Sequence, residues 1–481
     1  MSKLIQDIEQ LAIIANQLEP TPRTRNQQLE QLQQFANQFI SSIPQSKAYF
    51  GGNSAPEQFV IDEQPKSLES LLNTYKSQVA QKGINAASSG HLGYIPGGSL
   101  FTAALGDFIV DISNEYAGMY YGSPGAVAME EAVLNWMKSV FQFPKSAIGN
   151  LTSGGSIANL IALTAARDHH GIKGDLIEKS VVYLSEQTHH CIHKAFRIIG
   201  LSDIQIRHVP INDRFKIIPE KLNAKIEQDR NDGLNPFLVI ASAGTTDTGA
   251  VDPLQAIGAI AHKNQLWYHI DAAYGGFFML VDSKKHLFEG IDTADSLVID
   301  PHKSLFLPFG IGAVLVKDRQ AVFQSNHYRP NYMQDAFSDD VLINPADVSP
   351  ELSKHFRGMR IWLPLQFHGL APFKACLEEK LLLTQYFREK LIAAGFSVGP
   401  EPDLSVSYFW YPSKTIDQNA FNQSLLNYIH QDGRVFMSST IIQGQFVIRM
   451  ALLAFRTKLE TIEVAMKMIL AAKKKVENDF K

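Results

Sequence analysis

Apolar positions along the 481-residue chain change their period as it proceeds. Over residues 1 to about 45 they recur at helical spacing. Leu4, Ile8, Leu11, Ala15 and Leu18 share one face, which Pro20 and Pro22 bring to an end. Leu29, Leu32, Phe35, Ala36, Phe39 and Ile40 make a second stripe that stops at Pro44. Two such helices cannot bury their apolar faces alone, so they need the main body or a partner subunit. Residues 46–66 read as loop. A third stripe, Leu68, Leu71, Leu72, Tyr75 and Val79, leads into a glycine-rich stretch from Ser88 to Gly98.

From Ser99 onward, helical and strand-like runs alternate. Short apolar runs bounded by turn residues predict strands at Val181 to Leu184, Ile204 to Ile211, Phe237 to Ser242, Leu266 to Ile270, Ser296 to Ile299 and Gly312 to Val316. Strands separated by helices imply an α/β fold whose mostly parallel sheet is covered on both faces. Ser123-Pro124 and Asp252-Pro253 read as helix starts, each with its first residue as N-cap. Residues 319–350 form the longest stretch without periodicity, a length that in a compact protein belongs to a functional lid or to a disordered segment. Arg357 to Cys376 predicts one helix. A second α/β module follows, with strands near Ser405 to Trp410 and Gln445 to Ala451 and a last helix from about Leu459 to Lys473. The expected division is a helical segment at 1–98, a large domain at 99–358 and a small domain at 359–481.

Composition changes this picture little. Apolar residues make up 45% and charged residues 19%, ordinary for a globular protein with a large core. A net charge of −4 makes no electrostatic case for nucleic acid or an anionic membrane. Cys191 and Cys376 are too few for a disulfide framework and suit a reducing, cytoplasmic setting. The start of the chain meets Gln6 and Asp7 too early for a secretory signal, and no apolar run approaches the roughly 20 residues that span a bilayer.

The chemistry lies where two predicted strands stop. Leu266-Trp267-Tyr268-His269-Ile270 ends in Asp271-Ala272-Ala273-Tyr274-Gly275-Gly276, and Ser296-Leu297-Val298-Ile299 ends in Asp300-Pro301-His302-Lys303. Ligands of open α/β sheets sit beyond the carboxyl ends of the strands, so Asp271 and Lys303 reach one rim. Either residue alone reads as a helix cap or a solvated lysine. Together they are the two groups that pyridoxal phosphate needs: an amine to form a Schiff base with its aldehyde, and a carboxylate to keep its ring nitrogen protonated. Asn150 to Asn159, with Gly154, Gly155 and Ser156 ahead of a helix, offers backbone amides and a positive dipole end to a phosphate. His189, His190, Cys191 and His193 invite a metal reading, but their spacing matches no common zinc pattern, and no metal is expected.

His-Ile-Asp-Ala-Ala-Tyr-Gly-Gly followed by Asp-Pro-His-Lys resembles the pyridoxal-phosphate-dependent group II amino acid decarboxylases. That family includes the aromatic-amino-acid, histidine, tyrosine, glutamate and cysteine-sulfinate enzymes. The resemblance runs from Tyr94-Ile95-Pro96 to Phe446-Val447-Ile448-Arg449. It implies the fold type I architecture, a homodimer with the active site at its interface, and loss of an L-amino acid's carboxylate as carbon dioxide. It further implies phosphate contacts from Gly155, Ser156 and His302, and a ring-stacking, proton-presenting role for His189. Thr246 would touch the cofactor region, small Ala273 would let the ring lie close, and Tyr94 and Pro96 would line the substrate pocket.

Two positions depart from the family pattern. Asp300 stands where many relatives have asparagine. A carboxylate repels a phosphate, so Asp300 is expected to turn away or cap a helix. The loop tyrosine that protonates the reacting carbon in the aromatic-acid enzymes has no counterpart near Asn344 to Val348; Tyr332, chosen over Tyr328, is the candidate, with His189 or water as the alternative proton source. The rival readings are an aminotransferase, in which Arg449 would hold a substrate carboxylate, a carbon–carbon lyase, or a non-catalytic relative.

Overall fold

The computed structural model describes residues 2–61, 63–327, 344–414 and 416–479. Its centre is a seven-stranded sheet of β1 (Ile148–Thr152), β2 (Ser180–Leu184), β3 (Gln205–His208), β4 (Asn235–Ser242), β5 (Trp267–Asp271), β6 (Ser296–Ile299) and β7 (Gly312–Val316). The order is β1-β7-β6-β5-β4-β2-β3. From β6 to β3 all pairings are parallel, whereas β7 runs antiparallel to both its neighbours. The mostly parallel sheet expected from the sequence is therefore present, with one reversed strand near its edge.

Strand alternation sends side chains to two separate cores. Val182, Leu184, Leu238, Ile240, Trp267 and Val298 pack under the helices Gly155–His169 and Cys191–Ile198. Tyr183, Val239, Ala241, Tyr268, Ile270 and Leu297 pack on the opposite face, with Leu134 and Met137 of Pro124–Val140 and Ile257 of Leu254–Lys263. Each large aliphatic side chain buried this way contributes about 1.5–3 kcal/mol before the cost of ordering it.

After residue 359 the chain builds a second, antiparallel sheet of β8 (Ser397–Val398), β9 (Val406–Trp410), β10 (Ser438–Ile442) and β11 (Gln445–Ala451), in the order β10-β11-β9-β8. It has its own core, in which Phe409 and Ile448 meet Leu425 of Gln418–Asp432 and Ile469 of Leu459–Asp479.

Several local expectations are corrected. The stretch from Arg357 to Cys376 is two helices, Gly358–His368 and Ala371–Ala393, broken at Gly369, whose φ of +68° belongs to glycine. The presumed loop from 319 begins with a helix, Arg319–Asn326, capped by Asp318. Asp252 caps no helix: its carboxylate accepts the Ile217 and Ser242 amides at 2.8 Å each. Ser123 donates to Glu115 at 2.8 Å instead of capping. The N-terminal helices Lys3–Ala15 and Pro22–Ser42 form as predicted and bury none of their residues.

Candidate active site

The carboxyl ends of β2, β4, β5 and β6 open onto a cavity of about 370 Å³. Each strand delivers something to it. Gln187 and His189 follow β2, Ser242 to Thr246 end β4, Asp271 ends β5, and Asp300, His302 and Lys303 follow β6. Asp271 is anchored at both oxygens: Oδ1 accepts the Ala273 amide at 3.0 Å and Oδ2 accepts Asn159 Nδ2 at 3.3 Å. Lys303 lies in the short helix Pro301–Ser304, with Nζ 3.0 Å from Asp300 Oδ2. Burial pushes the Lys303 amine down, but the Asp300 and Asp271 carboxylates outweigh it and hold the amine above its ordinary value.

Ser153 to Ser156 form the wall at the start of Gly155–His169. Gly154 has a φ of +147°, a conformation that L side chains rarely adopt, and it brings the backbone round to the helix start. Thr246 and buried Ala273 line the same cavity. His189 Nδ1 accepts the Cys191 amide at 3.3 Å, so a neutral His189 carries its proton on Nε2. Burial lowers the His189 imidazole, with nearby Asp271 opposing the shift. His302 Nδ1 donates to the Ile311 carbonyl, and burial lowers its imidazole as well.

Asp300 does not turn away, nor does its side chain cap a helix. It is 2% exposed, pairs with Lys303, and its Oδ1 has no hydrogen-bond partner. A Cβ placed on Gly155 would lie 2.9 Å from Asp300 Oδ2, so the carboxylate rests against the glycine wall. The nearby cation, Lys303, is what draws it inward.

Tyr94 and Pro96 are not among the residues lining this cavity. Their segment nonetheless runs against it: a Cβ on Gly97 would sit 2.4 Å from the His302 carbonyl oxygen. Arg449 is also absent from the lining. It is 3% exposed and donates to the carbonyls of Thr246, Asp247 and Tyr94 and to Ser438 Oγ. Tyr328 and Tyr332 lie outside the described residues.

A family model for the pyridoxal-dependent decarboxylase conserved domain matches residues 53–411. The chain belongs to the pyridoxal-dependent decarboxylase family. An aromatic-L-amino-acid decarboxylase of Bacillus atrophaeus is 33% identical over 383 residues, covering 78% of this chain and 79% of that one. Tryptophan decarboxylase 2 of Oryza sativa subsp. japonica is 29% identical over 423 residues, covering 84% and 85%. In fold, the chain is similar to Oryza sativa TDC solved with PLP and tryptamine, with a TM-score of 0.89 at 22% identity over 95% of this chain and 99% of that one. Mouse CSAD is similar at a TM-score of 0.86 and 23% identity, over 94% and 99%. The protein is thus a pyridoxal-phosphate-dependent amino acid decarboxylase.

The residues of this decarboxylase fit the cofactor. An amine and a carboxylate face one cavity, a glycine wall leaves room at a helix start, and small Ala273 lines the same cavity. The unpartnered Asp300 oxygen works against an anionic group. Asn159, which holds Asp271, and inward-facing Asp300 were missed from the sequence. The Asp300/Lys303 spacing of three within a helical turn was a usable signal for the second.

Proposed function

We propose that this decarboxylase acts on an aromatic L-amino acid, releasing carbon dioxide and the amine. The observation that carries the reading is that Asp271 and Lys303 meet in a cavity lined by His189, Tyr274 and Phe309, with no arginine among the described residues that line it. An acidic side chain would need such a cation, whereas an aromatic one needs flat apolar walls. The aromatic, tryptophan and tyrosine decarboxylases among the relatives support the same class.

Pyridoxal phosphate, when bound, supplies an electron sink for the pair left as carbon dioxide departs. In our reading Lys303 holds it covalently, and Asp271 keeps its ring nitrogen protonated. Gly155, Ser156 and His302 contact its phosphate, while Thr246, Ala273 and His189 hold the ring. Tyr94 and Pro96 complete the substrate pocket, and Tyr332 delivers the final proton. The aminotransferase alternative loses support because the Arg449 guanidinium is engaged by three backbone carbonyls.

We further assign a homodimer. On Phe101–Ser113, Phe101, Leu105, Phe108, Ile109 and Ile112 are each 41–70% exposed, and cavity-lining Phe309 is 61% exposed. An apolar stripe of that kind beside an open site fits a second copy. Free Cys191 and Cys376 agree with a cytoplasmic setting, and no helix among the described residues is long and apolar enough to cross a membrane. In our reading the chain divides at 1–98, 99–358 and 359–481, and the two separate sheets support the second of these boundaries.

The test is to load the purified protein with pyridoxal phosphate, offer each common L-amino acid, and measure carbon dioxide and amine. Turnover confined to aromatic substrates supports the reading; turnover confined to glutamate or cysteine sulfinate overturns it.

A further inference from the structure

Asp271 is one end of a buried row of polar side chains. Alternation along β5 puts Trp267, His269 and Asp271 on the same face of the sheet. Ser296 of β6 stands directly across from His269. Asn159, from the helix that covers this face, closes the row. Trp267 Nε1 and Ser296 Oγ are 2.8 Å apart, Ser296 Oγ and His269 Nδ1 2.8 Å, His269 Nε2 and Asn159 Oδ1 2.8 Å, and Asn159 Nδ2 and Asp271 Oδ2 3.3 Å. Ser296 and His269 are 0% exposed, Asn159 1% and Trp267 3%.

The two ends fix the direction of three of the four bonds. An indole N–H only donates, so Ser296 accepts from Trp267. A carboxylate only accepts, so Asn159 points its amide nitrogen at Asp271 and its oxygen at His269. The opposite amide orientation would set an oxygen against the carboxylate. His269 Nε2 therefore carries a proton. Burial lowers this imidazole to about 4 and keeps it neutral, so Nδ1 accepts the Ser296 hydrogen. The Asn159 amide also reaches Cys191 Sγ at 3.4 Å, a thiol that burial pushes up to about 12, so no charge competes there.

We propose that Asn159 and His269 are positioning residues: a one-way chain of donors from Trp267 holds the Asp271 carboxylate in place and makes the bound cofactor's ring nitrogen keep its proton. The proposal rests on the assignment of Asp271 to that nitrogen. A donor to a carboxylate favours its charged form. With the Asn159 donor present, the shared proton stays on the ring; without it, the proton moves toward Asp271.

The experiment has two arms. In the apoprotein, NMR of ¹⁵N-labelled histidine, with the signal assigned by His269→Gln, reads the tautomer. The expected result is a proton on Nε2 and no titration between pH 8 and 5.5; a proton on Nδ1, or titration in that range, overturns the proposal. In the holoprotein, cofactor labelled with ¹⁵N at its ring reports its own protonation. Asn159→Leu and His269→Leu should shift that signal toward the unprotonated form and weaken cofactor binding about tenfold, as expected for loss of a hydrogen bond to a charged group. His269→Gln, which keeps an N–H near the Nε2 position, should lie close to wild type. Variants that bind weakly but leave the ring signal unchanged would show a merely structural role and overturn the proposal. An unprotonated ring in the wild type would instead remove the role given to Asp271, and the proposal with it.

Discussion

Asp300→Asn removes one charge from beside Lys303 at almost constant shape. The carboxylate oxygen lies 3.0 Å from the Lys303 amine, and the Lys303 side chain is 25% exposed. Two unit charges at that 3.0 Å separation attract by about 1.4 kcal/mol in a water-like medium and about 5.5 kcal/mol at an effective dielectric of about 20. The smaller figure is a floor for a partly exposed amine. Only the neutral amine attacks an aldehyde, so losing the ion pair raises the reactive fraction at neutral pH by at least about tenfold. The assay mixes apoprotein with pyridoxal phosphate between pH 6.5 and 9 and follows capture by absorbance. The asparagine variant should capture at least about tenfold faster at pH 7, with its rate profile displaced to lower pH. Pyridoxal, which lacks the phosphate, separates this effect from relief of repulsion between Asp300 and the phosphate. Equal pyridoxal capture by the two proteins at every pH would refute the reasoning.

Other predictions follow from the surroundings of the site. Lys354 is 5% exposed and bonds Glu130 at 2.7 Å and Asn150 of β1 at 2.8 Å, so Lys354→Met strands a buried carboxylate. Denaturation should show about 3–5 kcal/mol lost, with much of it recovered in Glu130→Gln/Lys354→Met; a loss below about 1 kcal/mol would contradict this. His91 and His269 have imidazoles lowered from 6.5 to about 4, chiefly by burial. Below pH 6.5 the unfolded chain takes up protons that the fold refuses, so stability is full above that pH and lost as pH falls toward 4, by about 3 kcal/mol for each histidine. His91→Phe should flatten the stability–pH curve between pH 6.5 and 4; an unchanged slope would count against it. Tyr332→Phe should slow amine formation by about 10²–10⁴-fold or divert product to a carbonyl compound. Clean amine at the wild-type rate would make Tyr332 a bystander.

The sequence carried the strand ends well because burial on both faces makes β4, β5 and β6 nearly continuous apolar runs that stop at Ser242, Asp271 and Ile299. Asp271 and Lys303 were legible for the same reason. β1 was not: it is an edge strand with glycine and asparagine in its middle, held by pairing with β7 and not by its own pattern. Asn159 was hidden because its contact with Asp271 crosses 112 positions and exists only once a helix lies on the sheet. For Asp300, repulsion from a phosphate predicts an outward turn, whereas attraction to Lys303, three residues on, decides its place. Strand period alone places Trp267, His269 and Asp271 on one face.

The most direct test compares carbon dioxide and amine release by wild-type protein and by Lys303→Ala, both loaded with pyridoxal phosphate and given an aromatic L-amino acid. The account predicts one amine per carbon dioxide from the wild type and no turnover from the variant. Because Lys303 sits on the cavity rim, outside the core clusters, the variant should keep its fold by circular dichroism. Carbon dioxide released by a folded Lys303→Ala protein at the wild-type rate would contradict the account.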